Sequence, residues 1–273
     1  CVMEATGNYS ALLLYMLNVA GITVSMENPL KVKNFAKALL STVKTDKSDA
    51  RLITLYGEKM NPRPFKVQGE AILRLRQKRT VIRQLTKQIT AMSNLRGSLA
   101  CLPVPDKGAT HTVDETIKFL EKRRDRLQSE LTDLVEVEFS RQLALLTTIK
   151  GIGITLATAL ILTTGGFTYF QNAKQVSRYL GICPTYEQSG TSVNIRGHIN
   201  RNGDAYTRGL LYIAAWPASR FNAQCKETYT RLRQNGKSGK LAMIAVANKL
   251  IRQAFAVVAH DKEYIDGFVS NRP

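Results

Sequence analysis

The sequence predicts a mostly helical α+β chain, made of a small α/β segment, a long helical hairpin and a mainly helical final segment. Three observations predict it. An apolar run, a helical stretch and a second apolar run follow one another at the start; between residues 70 and 140 apolar residues recur at alternating spacings of three and four; and beyond residue 144 apolar helical stretches alternate with glycine turns and a polar loop.

Residues 1–6 read as a buried strand carrying the carboxylate of Glu4. Residues 10–19 read as a helix and 22–26 as a second strand, with Gly7-Asn8 and Gly21 as punctuation, which together make a βαβ unit. A strand cannot open such a layer alone, so the sequence reads as the remainder of a longer protein. Pro29 opens a helix through residue 40, and Thr45 or Asp46 caps the next, over 47–56. The prolines of Asn61-Pro62-Arg63-Pro64-Phe65 make a stiff linker.

The hairpin follows from two seams. Leu75, Lys78, Ile82, Leu85, Ile89, Met92, Arg96 and Leu99 form one; Val113, Ile117, Leu120, Arg124, Leu127, Leu131 and Leu134 form the other. The prolines and glycine between Cys101 and Gly108 stop one helix and reverse the chain. This arm serves equally as an internal antiparallel pair or as a dimerisation device. Further on, Gly151-Ile152-Gly153 precedes an apolar helix that runs to Leu162 and the turn Gly165-Gly166.

Charge narrows the partners. The chain of 273 residues has a formal charge of +18. Residues 1–65, 66–143 and 144–273 carry nets of +3, +5 and +10, and between 196 and 252 eleven basic side chains face only Asp204 and Glu227. That is the footprint of a nucleic-acid surface. Cys1, Cys101, Cys183 and Cys225 show neither zinc-ligand spacing nor a disulfide framework, so a reducing, cytosolic compartment is expected. Residues 12–20 are too short to span a bilayer, and no membrane association is expected.

Three acidic side chains carry candidate chemistry. Glu4 ends an apolar run, and Asp46 and Asp49 stand at i and i+3 where a helix starts, a layout that can gather carboxylates around a divalent ion. Oxygen-only ligands suit Mg²⁺ or Mn²⁺, the ions of phosphodiester chemistry. Plain structural readings stand beside this one. Asp46 falls where a helix cap would, and Asp49 complements a helix dipole. Glu4 resists such a reading, because a buried carboxylate without a cation is costly. The Gly151-x-Gly153 turn matches the helix-hairpin-helix pattern, whose helix-terminal N–H groups hold a phosphate without reading bases, although such turns also occur as simple packing. It is not a dinucleotide site, since the third glycine and the preceding strand are missing.

Seven motifs occur in order: Met3-Glu4-Ala5-Thr6-Gly7, Lys44-Thr45-Asp46-Lys47-Ser48-Asp49-Ala50, Gly151-Ile152-Gly153, Tyr179-Leu180-Gly181-Ile182-Cys183-Pro184, Gln188-Ser189-Gly190, Gly197-His198-Ile199-Asn200-Arg201-Asn202-Gly203 and Gly236-Lys237-Ser238-Gly239-Lys240. Together they resemble the bacterial insertion-sequence transposases with an N-terminal RuvC-like DEDD domain and a C-terminal serine transposase domain, the family that includes the bridge-RNA-guided recombinases. The resemblance covers essentially the whole chain. It implies a partial RNase H-like α/β domain over 1–65, an antiparallel coiled-coil hairpin over 66–143, and a serine transposase domain with a helix-hairpin-helix over 144–273. It further implies Mg²⁺ or Mn²⁺ as cofactor, DNA and a guide RNA as partners, a homo-oligomer (dimer or tetramer) and a bacterial cytoplasmic location.

On this sequence Glu4 looks like the second acidic position, Asp46 the third and Asp49 the fourth. The first, an Asp on the opening strand, has no counterpart, so a truncated domain is expected. Ser189 best matches the nucleophilic serine, with Ser192 the alternative. Arg196, Arg201, Arg208, Lys237 and Lys240 join Gly151 and Gly153 as candidate nucleic-acid contacts, and otherwise form a solvated basic face. His198 lies near Ser189 in the polar loop, and Trp216 reads as core. The expected function is DNA transposition or recombination through metal-assisted serine attack on DNA phosphate. A metal-dependent junction-resolving nuclease and a non-catalytic nucleic-acid-binding remnant are the rival readings.

Overall fold

The computed structural model describes residues 1–40, 45–65, 69–184, 187–189, 193–195, 198–200 and 203–267. The chain divides into two compact units, Cys1–Gly69 and Glu70–Pro273. Among the described residues it is mostly helical, with two short two-stranded sheets.

In the first unit, β1 (Val2–Glu4) and β2 (Ser25–Glu27) pair in parallel, with Glu4 opposite Glu27, and α1 (Asn8–Val19) connects them. The βαβ unit is therefore present, with shorter strands than the apolar runs. Gly7 opens α1 in the left-handed region (φ 70°), a conformation that favours glycine. Next, α2 (Pro29–Ala38) starts with a proline at its first turn and an Asn28 side chain accepting from the Leu30 N–H. A reciprocal box between Thr45 and Ser48 opens α3 (Asp46–Met60), so Thr45 is the cap and Asp46 the first helical residue. Among the described residues here, Leu14, Val24, Val32 and Tyr56 are the buried apolar ones, with Phe35 edge-on to Tyr56.

The second unit begins with α4 (Glu70–Ala100), which packs along α5 (Lys107–Thr147) as a helical hairpin, Asp106 capping α5. Leu75, Ile82, Ile89, Val113, Ile117 and Leu131 are buried along the seam. Its polar members are neutralised: Lys78 by Glu130 at 2.6 Å, Arg96 by Asp114 at 3.3 Å and Arg124 by Asp125 at 2.8 Å. Two details depart from the spacing. Leu134 is exposed and Val135 takes the buried place, and α5 continues past residue 143 through a non-helical Phe139. A step of four in place of three keeps the stripe on the inner face as the helix drifts from an exact seven-residue repeat.

Beyond α5 come α6 (Ile154–Thr164), α7 (Ala173–Tyr179), the antiparallel strands β3 (Glu187–Ser189) and β4 (Val193–Ile195), α8 (Ala205–Phe221), α9 (Ala223–Gln234) and α10 (Gly239–Ala259). Gly165 ends α6 as a left-handed cap. One apolar cluster joins Leu75 and Ile82 of α4, Val135 and Leu146 of α5, Leu160 to Leu162 of α6, Leu211 of α8 and Leu250 of α10. Each such fully buried Leu or Ile contributes about 1.5–3 kcal/mol relative to exposure. By length and composition α10 is apolar enough to cross a membrane. Here Val246, Ala247, Leu250, Ile251 and Ala254 place it in this core.

Candidate active site and nucleic-acid interface

The acidic residues lie in the first unit. Glu4 ends β1 half-buried, Asp46 is exposed, and Asp49 is half-buried in the first turn of α3. Glu27, in register with Glu4, is buried and paired with Lys31 at 2.7 Å. Helix α3 packs on β1 at Gly57, where an added Cβ would lie 2.8 Å from the Val2 side chain. That contact is roughly 12 Å along the helix from Asp49. The donors are hard carboxylate oxygens suited to a divalent ion. Among the described residues, however, no group of three or more such side chains stands close enough to hold one. The structure therefore does not bring Glu4, Asp46 and Asp49 together as a metal cage.

The serine lies in the second unit. Ser189 is the last paired residue of β3, opposite Val193, and its side chain is outside the described part of the structure. Ser192, Arg196 and Arg201 lie outside the described residues altogether. The base of this excursion is tied three times over. Pro184 and Ile199 form a β-bridge, the Asn200 N–H donates to the Cys183 carbonyl at 3.1 Å, and Gly203 (φ 143°) packs where a Cβ would run into the Tyr179 carbonyl. Arg208 donates to the carbonyls of Gly203 at 2.8 Å and Leu180 at 3.4 Å, so this candidate phosphate contact is engaged inside the fold.

The Gly151-x-Gly153 turn has two distinct glycines. Gly151 (φ 106°) sits against α8, where a Cβ would be 2.7 Å from that of Ala218. Gly153 opens α6 with no side-chain cap and nothing near its own Cβ position. Gly153, Ile154 and Thr155 are exposed, leaving helix-terminal N–H groups where an anion can bind. Buried Asn222 holds the turn by donating to the Lys150 carbonyl at 3.3 Å and to Gln253 at 3.0 Å, while Lys150 pairs with Asp266 at 2.8 Å. Burial pushes the neighbouring Cys225 thiol up to about 12, and burial beside Asp266 does the same to the Tyr264 hydroxyl. Both therefore stay neutral at ordinary pH. Lys237 and Lys240 are exposed around the start of α10. Trp216 corrects the sequence reading, because it is 48% exposed on the outer face of α8 with Ile213 rather than in the core.

One group escaped the sequence reading. On α4, Arg79 and Arg83 reach Asp204 at 3.7 and 3.0 Å, and Asp204 caps α8 through Thr207. The signal was present: basic residues at 76, 79 and 83 share one helix face, and Asp204 is one of two acids in a basic stretch.

A family model described as "Transposase IS116/IS110/IS902 family" matches residues 143–230, and a DEDD-type IS110 transposase model matches residues 1–100. A pilin gene-inverting protein of Moraxella bovis is 30% identical over 271 residues, covering 96% of this chain and 81% of the relative. The chain belongs to the IS110 family of transposases. A second pilin gene-inverting protein, from Moraxella lacunata, matches to the same extent. An uncharacterised 43.6 kDa protein of insertion element IS110 from Streptomyces coelicolor is 27% identical over 137 residues, covering 50% of this chain and 33% of that protein. The two matched segments of this IS110-family chain contain Glu4, Asp46, Asp49 and Ser189, while Lys237 and Lys240 lie beyond them. Transposases act on DNA, and a DEDD domain implies divalent metal in general terms.

Proposed function

We propose that this IS110-family transposase recombines DNA through a serine-linked intermediate, with Ser189 as nucleophile. The Oγ–phosphorus bond forms as a phosphorus–oxygen bond of the DNA backbone breaks. The departing strand end leaves as a hydroxyl, with the proton that the serine gives up. The covalent link conserves the bond for rejoining. Exposed N–H groups at Gly153 and the cations of Lys237 and Lys240 supply phosphate contacts, with Arg196 and Arg201 as further candidates. Glu4, Asp46 and Asp49 carry the hard oxygen donors that Mg²⁺ or Mn²⁺ takes, and an ion would supply Lewis-acid polarisation of phosphate there only in an arrangement that draws the three together. Guidance by an RNA and assembly as a dimer or tetramer, with the helical hairpin as an antiparallel coiled coil, belong to the same reading.

The observation that supports it best is likeness along nearly the whole chain to a relative whose name states gene inversion. A second reading, a non-catalytic nucleic-acid-binding protein, is favoured by the lack, among the described residues, of a group of three or more acidic, histidine or cysteine side chains that could hold a metal. Suicide DNA substrates separate the two. A covalent adduct mapping to Ser189, lost in Ser189→Ala and retained in Ser192→Ala, supports the serine mechanism. Binding without any adduct, with log K falling by about 0.9 per neutralised phosphate against log[salt], supports the second.

A further inference from the structure

The face of α4 that carries Arg76, Arg79 and Arg83 is wired into the C-terminal helices. Arg76 donates to the carbonyls of Leu162 at 2.8 Å and Thr163 at 3.0 Å, satisfying the last turn of α6. Arg79 donates to the Thr163 hydroxyl at 2.7 Å, which shares a 3.0 Å hydrogen bond with the buried Thr207 hydroxyl, and that hydroxyl donates to Asp204 at 2.7 Å. Arg83 closes the circuit on the other Asp204 oxygen at 3.0 Å and lies over the Tyr206 ring at 5.4 Å. The Asp204 side chain is only 14% exposed. Burial raises its carboxyl, but hydrogen bonds from Thr207 and the two guanidinium charges outweigh this and hold it below the usual value.

The position of this network gives it a consequence. Asp204 directly follows Gly203, the residue locked against Tyr179 and Leu180 where the β3–β4 excursion rejoins the core. Two partners on one carboxylate, from a helix more than a hundred positions away in sequence, are far more than a helix cap requires. Charged hydrogen bonds at low exposure are strong and geometrically demanding. They couple the helical hairpin to the segment that carries Ser189.

We propose that Asp204, gripped by Arg79 and Arg83, is a positioning residue that fixes the base of the β3–β4 hairpin against α4, so that the helical hairpin sets where Ser189 stands. The catalytic consequence rests on the serine reading above; the mechanical coupling does not. Asp204→Asn separates capping from charge, because asparagine caps a helix as well as aspartate. In the full chain this variant should melt lower at neutral pH, because Arg79 and Arg83 lose their counter-charge, and should keep its DNA affinity within about twofold. Amides of residues 193–195 and of Asn200 should exchange about tenfold faster by hydrogen–deuterium exchange, and the rate of adduct formation on suicide DNA should fall about tenfold. Arg83→Met should reproduce both effects, Arg83→Lys should largely restore them, and the double variant Asp204→Asn with Arg83→Met should be no worse than either alone. Unchanged exchange at the hairpin in Asp204→Asn overturns the proposal. So does a faster-exchanging hairpin with an unchanged adduct rate. If the unsubstituted chain forms no serine adduct, the nucleophile reading falls, and the exchange contrast across the Arg83 pair alone decides the coupling.

Discussion

The two units of this transposase handle apolar surface in opposite ways. In the second, thirty buried residues among those described form one continuous cluster that runs from the helical hairpin through α6, α8 and α10. In the first, four apolar side chains among the described residues are buried, while α1 holds Tyr9, Leu12, Leu13, Met16 and Val19 in solvent, Tyr9 at 93% exposure. Yet the first unit carries the acidic motif and the second the serine. Motifs that are equally readable in sequence thus sit on scaffolds of very different solidity, and a small two-stranded layer buries too little to be stable by itself.

The largest expected effect tests that contrast directly. Amides of α1 should exchange at least about a hundredfold faster than those of α6 and α10 in the unsubstituted chain. Leu160→Ala should cost about 2–5 kcal/mol in the unfolding of the second unit, read by denaturant titration with exchange. Equal protection of α1 and α6 would break the comparison. Next come the two glycines of the α5–α6 turn. Gly151→Ala forces a Cβ against Ala218 in a left-handed backbone and should cost about 1–3 kcal/mol. Gly153→Ala meets open space and should stay within roughly 1 kcal/mol. A reversed order in thermal melts would show that the turn is built differently.

A smaller effect concerns acid. The Asp204 carboxyl is held below its ordinary 3.8, so its contribution to stability is full above that value and is lost as pH falls through the lower folded one. Asp204→Asn should therefore lower stability at neutral pH, flatten the acid limb of stability against pH and leave stability in strong acid the less altered; an unchanged limb would remove Asp204 from the account. The smallest effect is chemical. Exposed Cys101 should alkylate readily in the native chain, whereas buried Cys225, its thiol pushed up to about 12, should react only on unfolding. Mass spectrometry of a timed iodoacetamide reaction would show it.

Much of the architecture was legible because it is local. The alternating spacing of Leu75, Ile82 and Ile89 against Val113, Ile117 and Leu131 states a helical pair, and Pro29, Thr45 and Asp106 mark helix starts by their own chemistry. Periodicity identifies an apolar face without saying which element covers it. For that reason Trp216 read as core although α8 turns it outward, and Leu134 read as seam although Val135 is the buried residue. The acidic motif was legible as a set of residue types, but convergence of Glu4 with Asp46 and Asp49 is a matter of how α3 crosses β1, which no spacing states.

By itself, the sequence determined the order of segments, the concentration of positive charge after residue 144 and the seven motifs that carry the family likeness. Only the tertiary structure decided the partners of the buried charges. Arg83 meets Asp204 across 121 positions of chain, and Arg79 of the same helix reaches the same carboxylate. Such pairs follow from no local rule, because a desolvated charge takes whichever opposite charge the packed helices bring beside it, and that geometry exists only once the core has closed.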